Sequence, residues 1–90
     1  MFELGQVVAT ANFENTLGKE ASIKEAQKSL VRHARCDWGD CCDEDKKSND
    51  DALKAGERLL SVYHTDDGIK FWIITERDRS VTTILLPEDY

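Results

Sequence analysis

The sequence predicts one α+β domain, with two or three helices packed on one face of a small antiparallel sheet. Three observations carry this prediction. The last third, Arg58 to Tyr90, alternates apolar runs with turn residues and reads as a three-stranded meander. Residues 22–36 hold apolar side chains at helical spacing. Ninety residues, 40% of them apolar, supply one two-layer core and not two.

In chain order, Gln6 to Thr10 is a short β-prone run after Gly5, and as a strand it can join either edge of the meander. Ala11 to Leu17 reads as a short helix closed by Gly18, a natural C-cap. Ser22-Ile23-Lys24-Glu25 matches a capping box, in which serine and glutamate satisfy free N–H groups reciprocally. From there Ile23, Ala26, Leu30 and Ala34 form a narrow apolar stripe on a helix ending near Arg35 or Cys36. Asp37 to Asp40 is a connection, with Asp40 the expected N-cap of a further helix over part of Cys41 to Ala55. Ser48-Asn49-Asp50 is where that helix is open to interruption, and Gly56 closes it.

Arg58 to Thr65 and Ile69 to Glu76 flank Asp66-Asp67-Gly68, residues that tolerate positive φ and mark a hairpin. A two-residue turn at Asp67-Gly68 puts His64 opposite Phe71 and Val62 opposite Ile73. The middle strand is apolar on both faces, which predicts a central place in the sheet. The third strand, Ser80 to Leu86, ends at Pro87, the only proline. The length of the turn before it decides whether Thr82 or Thr83 faces the core.

Net charge is −6 and unevenly spread, with seven acids against two lysines between Asp37 and Asp51. Neutralising phosphates requires a basic surface, so direct nucleic-acid binding is not expected. The acidic segment suits instead a protein partner with a basic surface. No apolar run approaches the roughly 18 residues of a membrane span. The N-terminus lacks the basic and apolar regions of a secretory signal, and a cytoplasmic location is the expectation. Three cysteines, two of them adjacent, predict reduced thiols rather than a disulfide framework. No cofactor is expected, and the chain is read as a monomer or a homodimer pairing through an open sheet edge.

Three constellations are candidates for chemistry. His33, Cys36, Cys41 and Cys42 offer nitrogen and sulfur donors of the kind zinc accepts, although H-x2-C-x4-C-C is not a standard knuckle spacing. The alternative is a helix-end histidine beside small buried thiols. Asp40, Asp43, Glu44 and Asp45, with Trp38, are candidates for a partner-binding face, against the plainer reading of a solvated helix. Asp43 and Asp45 alternate as EF-hand ligands do, but the required glycine is missing. Trp38 is either a plug beneath the sheet or an exposed anchor. The third set is His33, Arg77, Arg79 and Thr82. A metal-independent ribonuclease needs a histidine for proton transfer and cations for the pentavalent phosphate, and helices placed before a small sheet resemble that group of folds. Against it, Arg77 and Arg79 can simply pair with acids around their turn. His64 reads as a structural edge residue.

Arg32-His33-Ala34, Asp37-Trp38-Gly39, Glu44-Asp45-Lys46, Trp72-Ile73-Ile74-Thr75-Glu76, Asp78-Arg79-Ser80 and Thr82-Thr83-Ile84-Leu85-Leu86-Pro87 together resemble a family of roughly 90-residue bacterial proteins found on plasmids and other mobile elements. The resemblance runs from Gly5 to Tyr90. It implies a mobile-element context and a small residue at the position of Cys36. It implies no catalytic residues, because no activity is established for the family.

Overall fold

The computed structural model describes residues 2–90. Its strands are β1 (Gln6–Ala9), β2 (Leu59–His64), β3 (Lys70–Thr75) and β4 (Val81–Leu85), and its helices are α1 (Ala11–Leu17), α2 (Lys19–Ala34) and α3 (Asp43–Ala55). The sheet order is β1-β4-β3-β2, with the meander antiparallel and β1 parallel to β4. The expected α+β class and the central position of the middle strand both hold.

β1 joins β4 because the outer edge of β2 is already occupied. Val62 N–H donates to the Trp38 carbonyl at 3.1 Å and the Val62 carbonyl accepts from Asp40 N–H at 2.7 Å. One step along, Asn49 of α3 donates Nδ2–H to the Leu60 carbonyl at 2.7 Å, and its Oδ1 accepts from Leu60 N–H at 3.1 Å. A side-chain amide thus stands in for a neighbouring strand, which is one way an edge is protected from further pairing.

Alternation along the strands sorts the two faces. Tyr63, Phe71, Ile73, Ile84 and Leu86 point to the side covered by α1 and α2, where Phe13 completes the buried core. Trp72 lies on the opposite face, beneath Tyr90 of the C-terminal turn, with ring centroids 5.6 Å apart. α3 lies along the edge at β2, where Ala52 and Leu53 pack against Trp38, Cys41 and Leu59. Two helices therefore cover the face and the third flanks it.

Four local expectations change. The β2–β3 loop holds three residues, so His64 pairs with Lys70 and Val62 with Trp72. Gly68 N–H bonds the Thr65 carbonyl, Thr65 N–H bonds the Ile69 carbonyl, and Gly68 has φ +85°. This is a turn closed by a left-handed residue, the usual three-residue solution for a hairpin. The capping box does not form. α2 starts at Lys19, directly after the glycine, and Ser22 lies inside it donating to the Lys19 carbonyl. Asp40 is not the N-cap of α3; that position is Cys42, and the Asp40 carboxylate instead meets His64 Nδ1 at 2.7 Å. α3 also runs unbroken through Ser48-Asn49-Asp50.

The largest departure is on the buried face of α2. Of the apolar stripe, Ala34 is buried and Ala26 and Leu30 pack against the core, but Ile23 is 51% exposed, while Ser22, Glu25, Ser29 and His33 are buried. The sheet beneath explains part of this, because it presents hydroxyls that His33 can bond.

Candidate functional site

His33 enters from the last turn of α2 and lands on three sheet hydroxyls. Ser61 pairs with Ile73 across β2 and β3, and Thr75 pairs with Thr82 across β3 and β4, so all three side chains share the helix-covered face. His33 Nδ1 lies 2.5 Å from Ser61 Oγ, and Nε2 lies 2.9 Å from Thr75 Oγ1. Thr75 Oγ1 is 2.8 Å from Thr82 Oγ1, which in turn lies 2.6 Å from the Leu4 carbonyl oxygen.

The chemistry of the last member fixes the direction of the whole chain. A carbonyl only accepts, so Thr82 donates to Leu4. Thr75 then donates to Thr82 and must accept from His33, which places the proton on Nε2. Nδ1 is left with a lone pair and accepts from Ser61. The neutral imidazole satisfies every member in this arrangement. Burial and the nearby positive charge of Arg79 act the same way, lowering the His33 pKa from 6.5 to about 4. The ring is fully enclosed, with Phe2 edge-on at 5.1 Å and Trp38 at 5.8 Å.

This placement removes the arrangement expected for a ribonuclease. His33 and Thr82 are both 0% exposed, and both imidazole nitrogens are committed. A general base must reach the proton it abstracts, and this one has no opening to a substrate. Arg79 turns back to donate to the Glu57 carbonyl at 2.7 Å and the Glu76 carbonyl at 3.1 Å, while exposed Arg77 sits 3.9 Å from the Glu57 carboxylate. The two arginines belong to the packing of their turn and do not converge with His33 and Thr82 on a phosphate-sized space.

The zinc candidates are not brought together either. Among the described residues no group of three or more His, Cys, Asp or Glu side chains is placed to hold a metal ion. Cys41 is buried with its thiol pushed up by desolvation and its Sγ 3.7 Å from the Leu60 carbonyl. Cys42 is exposed, Cys36 is half-buried, and all three are free.

Trp38, taken as a possible contact residue, is 3% exposed and acts as the plug. Its indole N–H donates to Asp50 of α3 at 2.9 Å. The backbone around it is held by Arg32, which bonds both Asp37 carboxylate oxygens at 2.8 and 3.3 Å and lowers that acid's pKa. The Tyr63 hydroxyl donates to the Asp37 carbonyl at 2.6 Å, and burial pushes its pKa up to about 12.

What remains exposed is the acid set. Asp43, Glu44 and Asp45 form the first turn of α3, with Asp50 and Asp51 further along, and all five reach solvent. Among the described residues none of these five carboxylates has a cationic side chain within 4.0 Å. The helix beneath them is fixed by the Asn49 clamp and by Trp38. Asp40, beside this face, is spoken for by His64.

The fold and this surface define a small α+β domain with a closed, polar-centred core and an acidic helix on one edge. A scan against protein-family models finds no match, and neither the curated proteins nor the solved structures give one.

Proposed function

We propose that the chain is a protein-binding module that presents the acids of α3 to a basic surface on its partner. The observation that carries this reading is a run of unpaired carboxylates on a helix held rigidly against the sheet edge. Rigid display matters because a surface already in its bound shape loses little freedom on association. Like-charged side chains with no cation within 4.0 Å among the described residues also leave their field free to steer an approaching basic surface. The resemblance to mobile-element proteins supports a host defence or nucleic-acid enzyme as the partner class.

Partner capture from bacterial lysate tests this with the wild type beside a D43N/E44Q/D45N variant. The variant should capture less, and wild-type capture should weaken as salt rises, since exposed charges are screened beyond about 8 Å at physiological ionic strength. Neutralising the first turn of a helix also removes a small dipole stabilisation of about 0.3–1 kcal/mol per charge. Thermal melts must therefore show both proteins folded at the assay temperature. Equal capture by folded wild type and variant overturns the reading.

A second reading, a homodimer, is favoured by the asymmetry of the sheet edges. The β2 edge is closed, whereas β1 is the outermost strand at the other end, uncharged and with Val7 and Val8 exposed. Sedimentation at two concentrations distinguishes a 10.2 kDa monomer from a doubled mass.

A further inference from the structure

The two edges of the sheet are built differently. β2 is closed by the Trp38–Asp40 backbone and by Asn49, whereas β1 is the outermost strand at the other end. The N–H groups of Gln6 and Thr10 donate to the Ser80 and Ile84 carbonyls at 2.8 and 3.0 Å. Alternate residues of a strand bond the same neighbour, so Val7 and Ala9 turn their N–H and C=O groups outward. Apart from being short, β1 lacks the usual protections of an edge. The run from Gln6 to Thr10 holds no charge and no proline, and Val7 and Val8 are 42% and 39% exposed.

We propose that β1 pairs antiparallel with β1 of a second copy, with Val8 on the two-fold axis, joining the two sheets into one. The pairing rests on the homodimer reading above and gives it a strand, a register and an axis. An isologous contact near its axis brings each charge against its own like, which is destabilising across a strand pair. β1 carries none. With Val8 on the axis, Val7 of each copy faces Ala9 of the other, so every outward N–H of the two strands finds a carbonyl. Centring on Val7 instead would set Ala9 against Gly5, whose φ of +65° takes it out of the extended region.

The rest of the molecule suits the same occupant. Because the β2 edge is closed, association stops at two copies instead of running on as a filament. The acids of α3 stand by that far edge, where the helix packs against Leu59. In the joined sheet the two β2 strands lie seven strand spacings apart, roughly 34 Å. Charges are screened beyond about 8 Å in physiological salt, so the densest negative charge of each copy is out of reach of the other.

Sedimentation of the full chain at rising concentration, with cysteine cross-linking, tests the pairing. Cross-linking uses a Cys42→Ser background, since Cys42 is the exposed thiol. A mass twice 10.2 kDa is expected at high concentration. Opposed residues outside a hydrogen-bonded pair have Cα atoms about 4.5 Å apart, within the span of a disulfide. Val8→Cys should therefore oxidise to a linked dimer, with position 8 joined to position 8 in the peptide map. Gln6→Cys shares that face, but its two copies stand four residues out of register, roughly 14 Å apart, and should not link. Val8→Lys sets two ammonium groups face to face and should weaken dimerisation about fivefold or more. Should Val8→Lys fail to fold, the cysteine pair still decides. A wild type that stays at 10.2 kDa at every concentration overturns both the pairing and the homodimer reading. A doubled mass without linkage through position 8, or with equal linkage through position 6, overturns the pairing alone. So does a folded Val8→Lys that dimerises as tightly as the wild type.

Discussion

The Nε2–H of His33 donates to Thr75 Oγ1 across 2.9 Å, and this bond ties the last turn of α2 to the centre of the sheet. Thr75 passes the same polarity on to Thr82, and Thr82 to the backbone of Leu4, so one directional chain joins α2, β3, β4 and the N-terminal segment. The three side chains in it are buried, and each has its donors and acceptors satisfied only if its neighbours are present.

Thr75→Val keeps the shape of the side chain and removes both functions of its hydroxyl. His33 is left with an N–H facing a methyl group, and Thr82 loses its incoming donor. Stranding buried polar groups costs about 1–3 kcal/mol, and urea unfolding should show a loss of that size. Thr75→Ser retains the hydroxyl and should lose less than Thr75→Val. Equal losses for the two would mean that the methyl, not the hydrogen bond, matters at this position.

The same chain makes stability pH-dependent. The folded protein keeps His33 neutral down to about pH 4, whereas the unfolded chain takes up a proton near 6.5. Between those values the unfolded state binds more protons, so stability is full above about pH 6.5 and declines as pH falls towards 4. The shift corresponds to on the order of 3 kcal/mol in all, of which about 2 kcal/mol should be lost between pH 7 and pH 5. Denaturant midpoints at those two pH values check it. His33→Gln should flatten the slope. An unchanged slope in His33→Gln removes the imidazole as its source.

Asn49 is the second place where one side chain holds two elements together. Asn49→Ala strands the N–H of Leu60, leaves its carbonyl only the weak Cys41 thiol donor, and opens the β2 edge. A loss of about 1–3 kcal/mol is expected, together with faster hydrogen exchange at the Leu60 amide. Asn49→Asp keeps an acceptor for the amide but offers no donor to the carbonyl, so it should protect Leu60 N–H while still lowering stability. If Leu60 exchanges equally slowly in all three proteins, the clamp is not what closes the edge.

These four side chains also mark the limit of what the sequence makes legible. The meander, the short helix closed by Gly18 and the central strand follow from alternation and punctuation, which local chemistry dictates. The buried polar face of α2 does not, because periodicity ranks residues by apolarity and cannot know that Ser61, Thr75 and Thr82 wait beneath it. A histidine on a core-facing stripe looks wrong until its partners, dozens of residues away, are in place. Trp38 as plug was readable from its size, whereas Asn49, one polar residue in a polar helix, gave no signal. The set of His33, Arg77, Arg79 and Thr82 meets the same limit: the sequence marks His33 as a residue to notice but not that both of its nitrogens are bonded within the fold.

Two glycines with similar backbone angles should respond very differently to alanine. Gly39 has φ +75° and Gly68 has φ +85°, so both alanines incur the left-handed penalty of about 1–2 kcal/mol. At Gly68 a Cβ meets nothing within 4 Å, and the penalty should end there. At Gly39 it arrives 2.0 Å from the Val62 carbonyl oxygen and 2.7 Å from the Tyr63 ring. The strand-like contact between Trp38–Asp40 and β2 has to separate, which adds the loss of the two Val62 hydrogen bonds at about 1 kcal/mol each. Gly39→Ala should therefore cost at least about 3 kcal/mol and release the Val62 amide to exchange, while Gly68→Ala leaves that amide protected. Comparable losses in the two variants would mean that the Trp38 connection yields easily, and with it the rigid seat on which α3 rests.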